Sequence, residues 1–147
     1  MKGIVFDRAA IIVVAESFIR EYGMQDRVSV KAGDYLTDDL GGGYDLIWAS
    51  ATLNFAKNTL DSLISKIFDA LNPGGYFISF QDGLTDEKTK PDTMLAHSID
   101  MLRIGADFSF SQGEIADAMI RCGFSTVRSR SIETPMGTMD MDIARKQ

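Results

Sequence analysis

Four groups of polar residues follow apolar runs typical of β-strands, and their types and positions suit ligand chemistry. They are Asp7, Asp34 with Tyr35, the stretch from Ser50 to Asn54, and Gln81 with Asp82. In an open α/β sheet, ligands bind beyond the carboxyl ends of parallel strands, where loops and helix amino ends converge. A carboxylate there can accept hydrogen bonds from both hydroxyls of a ribose, which is the role predicted for Asp7. For any single acid at a strand end, the alternative is a helix cap or a solvated loop charge.

The elements that must position these residues are clearest in the middle of the chain. Residues 44–50 form an apolar run typical of a buried parallel strand. Residues 58–71 carry an apolar stripe at the 3.6-residue period, with Asn58 as the predicted N-cap, and the Asn-Pro-Gly-Gly sequence at 72–75 ends that helix. Residues 76–80 are a second apolar strand. A strand, helix and strand in this order predict a right-handed βαβ unit in a partly parallel sheet.

The amino-terminal part predicts two more strands, at residues 3–6 and 28–32. Between them, residues 11–14 favour a strand by propensity, whereas the apolar stripe over residues 11–22 fits a helix. Length and a charged outer face favour the helix, with Ile11, Val14, Phe18 and Tyr22 among the residues of its inner face.

The carboxyl-terminal part predicts an exposed loop, two helices and a closing hairpin. The polar stretch 81–92 reads as the loop, and residues 93–103, which contain His97, as the first helix. Ser111 to Glu114 is a capping box that opens the second helix. Residues 124–133 and an alternating segment at 139–143 predict an antiparallel hairpin.

Composition narrows the classes of function. The chain has 147 residues, 45% of them apolar, which fits about one domain, and its net charge of -6 makes nucleic acid an unexpected partner. With one cysteine, Cys122, and one histidine, His97, a single chain assembles neither a disulfide nor a zinc cluster of thiolates and imidazoles. No apolar run is long enough to cross a bilayer, and we expect a cytoplasmic protein.

Taken together, these motifs resemble class I S-adenosylmethionine-dependent methyltransferases. The resemblance lies in the order and spacing of five segments: Gly3-Ile4-Val5-Phe6-Asp7, Asp26-Arg27-Val28, Ala32-Gly33-Asp34-Tyr35, Tyr44-Asp45-Leu46-Ile47 and Leu71-Asn72-Pro73-Gly74-Gly75. Within that class, the chain is most similar to small-molecule O-methyltransferases of the hydroxyindole, hydroxyneurosporene and plant phenolic type. The implied fold is α/β, a Rossmann-like and mostly parallel sheet with a C-terminal antiparallel hairpin, spanning residues 1–147 as one catalytic domain.

The resemblance also implies roles for single residues. Asp7 would hold the ribose diol of S-adenosylmethionine, Asp34 would accept from the adenine amino group, and Tyr35 would pack near the ring. Ser50 matches a position that lines the donor pocket. The family usually has a His-Asp-Trp sequence after this strand, and the aligned stretch 53–55 offers Asn54 in place of the catalytic histidine. An amide is no general base, so the proton acceptor would lie elsewhere, with Asp82, Glu114 and His97 as candidates.

A second departure concerns the amino end of the domain. The glycine-rich turn after the family's first strand would precede Gly3, and neither that strand nor the family's helical dimerisation domain is present in these residues. We therefore expect a domain that is incomplete at its amino end, as part of a longer protein or as a truncated gene product. The two strands that would flank the missing one are then expected to pair with each other, or with another chain in a homodimer.

The predicted function is S-adenosylmethionine-dependent O-methylation of a small molecule. A second hypothesis is a non-catalytic remnant that binds a nucleoside-like ligand or a partner chain, which Asn54 and the missing glycine turn favour. A third, a nicotinamide-dependent dehydrogenase, leaves Asp34 and the closing hairpin unexplained. Titration with S-adenosylhomocysteine and with NAD separates the three.

Overall fold

The computed structural model describes residues 1–85, 89, 92, 99, 103, 109–135 and 137–147. Within this part, the chain forms two compact units, residues 1–41 and residues 42–147. His97 and most of the helix predicted at 93–103 lie outside the described residues. One catalytic domain spanning 1–147 stays a prediction.

The first unit is a strand, helix and strand, as the sequence predicts. β1 (Gly3–Asp7) and β2 (Val28–Ala32) pair in parallel, with Gly3 opposite Val28 and Asp7 opposite Ala32. α1 (Ala9–Glu21) connects them, which confirms the helix over the strand for this segment. Gly23 ends it in the left-handed conformation, at φ 63°, while the amide of Met24 bonds back to the carbonyl of Ile19.

The prediction that this apolar face of α1 is buried is wrong. Only Ile12 is buried, whereas Ile11, Val14, Phe18 and Tyr22 are between 44% and 66% exposed. The physical reason is the width of the sheet, because two strands offer room for one row of helix side chains. Phe18 and Tyr22 stack on each other, with ring centroids 6.5 Å apart, on the outside of the unit.

The second unit is a four-stranded mixed sheet with helices. Its elements are β3 (Tyr44–Ser50), a 3₁₀ helix (Leu53–Thr59), α2 (Leu60–Ala70), β4 (Leu71–Asp82), α3 (Glu114–Arg121), β5 (Thr126–Thr134) and β6 (Gly137–Arg145). The strand order is β3-β4-β6-β5. β3 and β4 are parallel and the other pairs are antiparallel, which confirms the predicted α/β class and its closing hairpin.

The βαβ unit at the centre forms with two differences from the prediction. Asn58 is no N-cap, because residues 53–59 form the 3₁₀ helix and α2 begins after Thr59. Residues 72–75 turn as expected, with Gly74 at φ 80°, yet they belong to β4 as an irregularity that shifts its register against β3. The side chain of Asn72 holds this turn by donating to the carbonyl of Gly43 and the carboxylate of Asp45.

The core of the second unit lies between the sheet and the helices α2 and α3. Their buried side chains include Leu63, Ile64, Ile67, Ile115 and Met119. On the sheet, Phe77 is fully buried and its ring lies 6.1 Å from that of Phe124. The predicted capping box forms only in part: the Glu114 carboxylate accepts from the Ser111 amide at 2.9 Å, but the N-cap residue is Gly113 and it makes no side-chain cap hydrogen bond.

One row of this core is polar. Ser79, Asp142 and Ser129 lie opposite one another across β4, β6 and β5, and Ser79 and Asp142 are buried. Ser129 donates to Asp142 Oδ1 at 2.5 Å. Burial raises the pKa of the Asp142 carboxyl, a shift that the Ser129 hydrogen bond opposes and the neighbouring Asp140 carboxylate reinforces. The charged form of Asp142 is thus disfavoured in the folded chain.

Asp142→Asn is expected to raise the melting temperature near pH 7. Because the pKa of the Asp142 carboxyl is higher in the folded chain, the folded state is most stable while this carboxyl is protonated. The free energy of unfolding falls as the pH rises through the folded pKa. A neutral amide at this position cannot ionise, so the variant avoids that fall. Each kcal/mol gained corresponds to roughly 2–4 °C for a chain of this size. Thermal unfolding from pH 3 to pH 8 tests this, with exposed Asp69→Asn as the control. A gain that persists unchanged at pH 3 contradicts the assignment.

The strands that the resemblance places on either side of the missing one are β1 and β3. They lie in separate sheets, so direct pairing of the two, one of the two predicted outcomes, is wrong for the described chain. No helix among the described residues is long and apolar enough to span a membrane.

Candidate functional site

Asp7 is the last residue of β1, at the carboxyl end of the parallel pair. The Arg8 amide donates to Asp7 Oδ1 at 2.7 Å, and the Gly33 amide donates to the Asp7 carbonyl at 3.0 Å. Asp7 Oδ2 makes no hydrogen bond to any part of the chain that the structure describes. A half-buried carboxylate, oriented through one oxygen and open at the other, suits a ligand hydroxyl.

Asp34 and Tyr35 lie in the loop after β2, in the same unit as Asp7. Asp34 Oδ1 accepts from the Leu36 amide at 2.9 Å, while its own amide donates to Asp38 Oδ2 at 2.8 Å. Tyr35 is half-buried, and burial raises the pKa of its phenol. The carboxylates of Asp34 and Asp7 reinforce that shift, so the structure brings these three predicted residues into one electrostatic neighbourhood.

Arg8 also belongs to this neighbourhood, although no sequence motif singled it out. Its guanidinium opposes the rise in the Tyr35 pKa, which shows its charge acting at the phenol. Gly33, between β2 and Asp34, has no room for a side chain, since an added Cβ would lie 2.7 Å from the Phe6 ring. The loop that carries Asp34 is therefore packed directly against the end of β1.

Ser50 ends β3 in the second unit, where its side chain is exposed. Its carbonyl accepts from the Thr52 hydroxyl at 2.8 Å. Ala51, the next residue, has φ 47°, which makes it the only non-glycine residue with positive φ in the described ranges. Its amide donates to the Phe80 carbonyl at 2.9 Å, and this bond fixes the strained turn between β3 and the 3₁₀ helix.

Ala51→Gly is expected to stabilise the chain by up to about 1 kcal/mol. Left-handed backbone costs an L-residue roughly 1–2 kcal/mol, and part of that gain is lost to the greater freedom of unfolded glycine. Denaturant titration measures the effect. The control is Ala116→Gly within α3, where the same change should destabilise by roughly 0.5–1 kcal/mol. Equal losses at both positions contradict strain at Ala51.

Asn54 occupies the first turn of the 3₁₀ helix and is half-buried. Its Nδ2 donates to Asp82 Oδ1 at 3.0 Å, which joins the 3₁₀ helix to the end of β4. Of the candidate carboxylates, the structure thus brings Asp82 to Asn54. Glu114 instead accepts a hydrogen bond from the Ser111 amide just before α3.

Gln81, which the sequence predicts together with Asp82 as a candidate for ligand chemistry, lies at this end of β4. It is 1% exposed, and neither its amide nitrogen nor its amide oxygen has a hydrogen-bond partner among the residues that the structure describes. Burying an amide in this state costs roughly 1–3 kcal/mol. The alternation of β4 places Gln81 on the same face as Phe77 and Ser79, toward the core.

A cavity lies at the start of α2, and of the candidate proton acceptors it contains Glu114. It has a volume of about 430 Å³ and is lined by residues 57–62, Glu114 and Arg121. Arg121 spans it with a bidentate ion pair to Asp61, whose shorter bond is 2.7 Å. This ion pair lowers the pKa of Asp61 and raises that of Arg121. Within the described residues, no cluster of three or more His, Cys, Asp or Glu side chains could hold a metal ion.

Comparison with known families assigns the chain. The family model of the O-methyltransferase domain matches residues 1–125. The chain belongs to the O-methyltransferase domain family. Two relatives of this O-methyltransferase domain are bacterial methyltransferases. L-tyrosine C(3)-methyltransferase of Streptomyces lavendulae is 27% identical over 125 residues, which cover 83% of this chain and 34% of the relative. The S-adenosyl-L-methionine-dependent methyl transferase PigF of Serratia sp. is 31% identical over 119 residues, which cover 78% and 34%.

Solved structures agree on the fold of the O-methyltransferase domain. PigF with SAH superposes with a TM-score of 0.80 at 25% identity, covering 100% of this chain and 44% of that one. An O-methyltransferase family protein from Burkholderia thailandensis reaches a TM-score of 0.84 at 18% identity, with the same coverage. The chain thus spans about a third of the length of the curated relatives above and under half of these solved chains.

Proposed function

We propose that this chain binds S-adenosylmethionine through its first unit and serves methyl transfer to a hydroxyl of a small molecule. The observation that carries the proposal is Asp7, a strand-end carboxylate held by the Arg8 amide at one oxygen and open at the other. Family membership gives the class of reaction, and relatives such as PigF are named for the same donor.

The residues of the first unit suit the nucleoside part of the donor. Asp7 would accept from the ribose hydroxyls, and Asp34, exposed in the next loop, from the adenine amino group. Half-buried Tyr35 beside Asp34 offers a ring against which adenine can pack. When bound, S-adenosylmethionine supplies a methyl group on a positively charged sulfur. Ser50, at the end of β3, stays a proposed donor-binding residue.

The residues of the second unit suit the handling of a proton. An amide is no base, so Asn54 would orient a neighbour, and the carboxylate that it contacts is Asp82. We assign Asp82 as the acceptor of the hydroxyl proton, with Asn54 holding its Oδ1 and leaving its Oδ2 for the substrate. A general base so placed contributes typically ~10²–10⁴-fold to the rate.

We also propose that the protein is cytoplasmic and forms a homodimer. A cytoplasmic protein fits its single cysteine, Cys122, which is free in the structure. A homodimer fits the strands β1 and β3, each of which is the outermost strand of its sheet on one side.

A non-catalytic nucleoside-binding remnant is the second candidate function. It is favoured by Asn54, which stands where the resemblance places a histidine.

Transfer of a labelled methyl group tests which candidate holds. The chain is incubated with methyl-labelled S-adenosylmethionine and a panel of phenols and other hydroxylated aromatic compounds. We expect label in an acceptor, released as a methyl ether. Donor binding without labelled product for any acceptor would favour the remnant, and absence of donor binding would contradict both.

A further inference from the structure

The 3₁₀ helix that carries Asn54 is longer than such helices usually are. It runs for seven residues, Leu53–Thr59, whereas runs beyond about four residues are uncommon because their hydrogen bonds are poorly aligned. It also follows closely on Ala51, whose φ is positive. A strained backbone of this kind persists only where surrounding contacts hold it in place. The contacts that hold this helix therefore determine where Asn54 lies.

Burial along this helix repeats every three residues. Leu53 and Ala56 are buried and form its inner row, whereas Phe55 is exposed. Asn54 and Lys57 are both half-buried. In a 3₁₀ helix, side chains three residues apart lie directly above one another. Asn54 and Lys57 thus form a second row, on one side of the helix and next to the inner row.

Each residue of this second row binds a different part of the second unit. Asn54 Nδ2 donates to Asp82 Oδ1 at 3.0 Å. Lys57 Nζ donates to the carbonyl of Ser109 and lies 5.8 Å from the centre of the Phe110 ring. A carbonyl oxygen and the face of an aromatic ring both attract an ammonium group. We call these two interactions of Lys57 the Lys57 contact.

The segment that Lys57 binds is itself bonded to the chain just beyond Asp82. The amide of Leu84 donates to the carbonyl of Phe110 at 2.8 Å, and the carbonyl of Leu84 accepts from the amide of Gln112 at 2.9 Å. The two side chains of the second row therefore fix the 3₁₀ helix at two points. One point is the end of β4, and the other is the segment paired with the residues that follow β4.

We propose that Lys57 is a positioning residue for methyl transfer, which holds the 3₁₀ helix against Ser109 and so keeps Asn54 bonded to the Asp82 carboxylate. The inference rests on the proposed function, since it concerns the carboxylate assigned there as the proton acceptor. In this role Lys57 takes no proton and touches no ligand. Without the Lys57 contact, α2 can begin at Asn58, the N-cap that the sequence predicts, and the turn before it no longer orients the carboxylate.

Hydrogen exchange of the intact chain without ligand tests the Lys57 contact itself. In the wild type we expect protected amides in residues 53–59. Lys57→Met keeps the length of the side chain and removes its donor and charge. Exchange of these amides should then rise by about 10-fold or more, the effect of losing a hydrogen bond to a charged group. Lys57→Arg should restore protection, because a guanidinium can also donate to the Ser109 carbonyl and lie over an aromatic ring. Lys66→Met, the same change in the middle of α2, is the control and should leave residues 53–59 unchanged.

Steady-state kinetics test the positioning role. Lys57→Met should lower kcat by about 10-fold, since residues of one hydrogen-bonded network couple by amounts of this order. The KM for the acceptor and the affinity for S-adenosylhomocysteine should stay as in the wild type. The double variant that also carries Asn54→Ala should be no slower than Asn54→Ala alone, because Lys57 acts through Asn54. A residue that acted independently would multiply the two losses.

Each other outcome overturns the proposal. Unprotected amides in residues 53–59 of the wild type contradict the Lys57 contact, as does unchanged exchange in Lys57→Met or a failure of Lys57→Arg to restore it. An unchanged kcat in Lys57→Met, or multiplied losses in the double variant, contradicts the positioning role. If Lys57→Met fails to fold by circular dichroism, Lys57→Gln, whose amide nitrogen is one atom nearer the backbone, replaces it in both experiments. Absence of methyl transfer to every acceptor would contradict the proposed function, while the exchange experiment still decides whether Lys57 holds the 3₁₀ helix.

Discussion

Asp82→Asn is expected to lower the turnover of methyl transfer by roughly 10²–10⁴-fold, with donor affinity unchanged. The substitution keeps the shape of the side chain and the oxygen that Asn54 can contact, and removes the only proposed base. Since Asn54 donates to Asp82 at 3.0 Å, the variant retains its neighbour and loses the charge. Turnover is measured with the acceptor that the labelling experiment identifies, and donor affinity by calorimetry.

Two comparison variants show whether the effect belongs to Asp82. Asn54→Ala should change turnover modestly, because an amide orients the carboxylate without taking the proton. Asp117→Asn, an exposed acid in the first turn of α3, should have no effect on either quantity. A loss of three or more orders of magnitude in Asn54→Ala, with Asp82→Asn active, would reverse the two roles.

Asp7→Ala is expected to weaken S-adenosylhomocysteine binding by about 10- to 150-fold. A hydrogen bond to a charged group is worth roughly 1.5–3 kcal/mol, and the carboxylate would accept from the ribose. The Asp7 carboxylate also accepts a hydrogen bond from the Arg8 amide, at the exposed start of α1. Water can replace the carboxylate there, so the variant should still fold.

The matched control is Asp26→Ala, an exposed acid before β2 in the same unit. It should bind S-adenosylhomocysteine as the wild type does. Unchanged affinity in Asp7→Ala, or an equal loss in both variants, would remove Asp7 from the donor site.

The elements with strong local signals could be predicted from the sequence. α2 followed from its apolar stripe, the turn at residues 72–75 from Pro and Gly, and the β5–β6 hairpin from alternation around its turn. Each of these signals acts over a few residues, so the surrounding chain does not change the outcome. The parallel pairing of β3 and β4 followed in turn, because a crossover helix of this length allows little else.

Burial and long-range contacts could not be predicted in the same way. The apolar stripe of α1 gave the helix but not its exposure, which depends on how many strands lie beneath Phe18 and Val14. Nothing in the sequence indicates the positive φ of Ala51, because the strain is imposed by the bond to Phe80 from another strand.

The candidate site could likewise be predicted only in part from the sequence. Asp7, Asp34 and Tyr35 follow strand ends, so their positions could be read from the strands, and the structure brings them into one neighbourhood. The contact between Asn54 and Asp82 joins residues 28 positions apart, and only the fold selects Asp82 over Glu114.

Calorimetric titration of the wild-type chain with S-adenosylhomocysteine, beside the same titration with NAD, tests the central claim most directly. We expect saturable binding of S-adenosylhomocysteine that Asp7→Ala weakens, and no binding of NAD at the same concentrations. Binding of NAD in preference, or of neither ligand by a chain shown to be folded, would contradict a donor site built on Asp7.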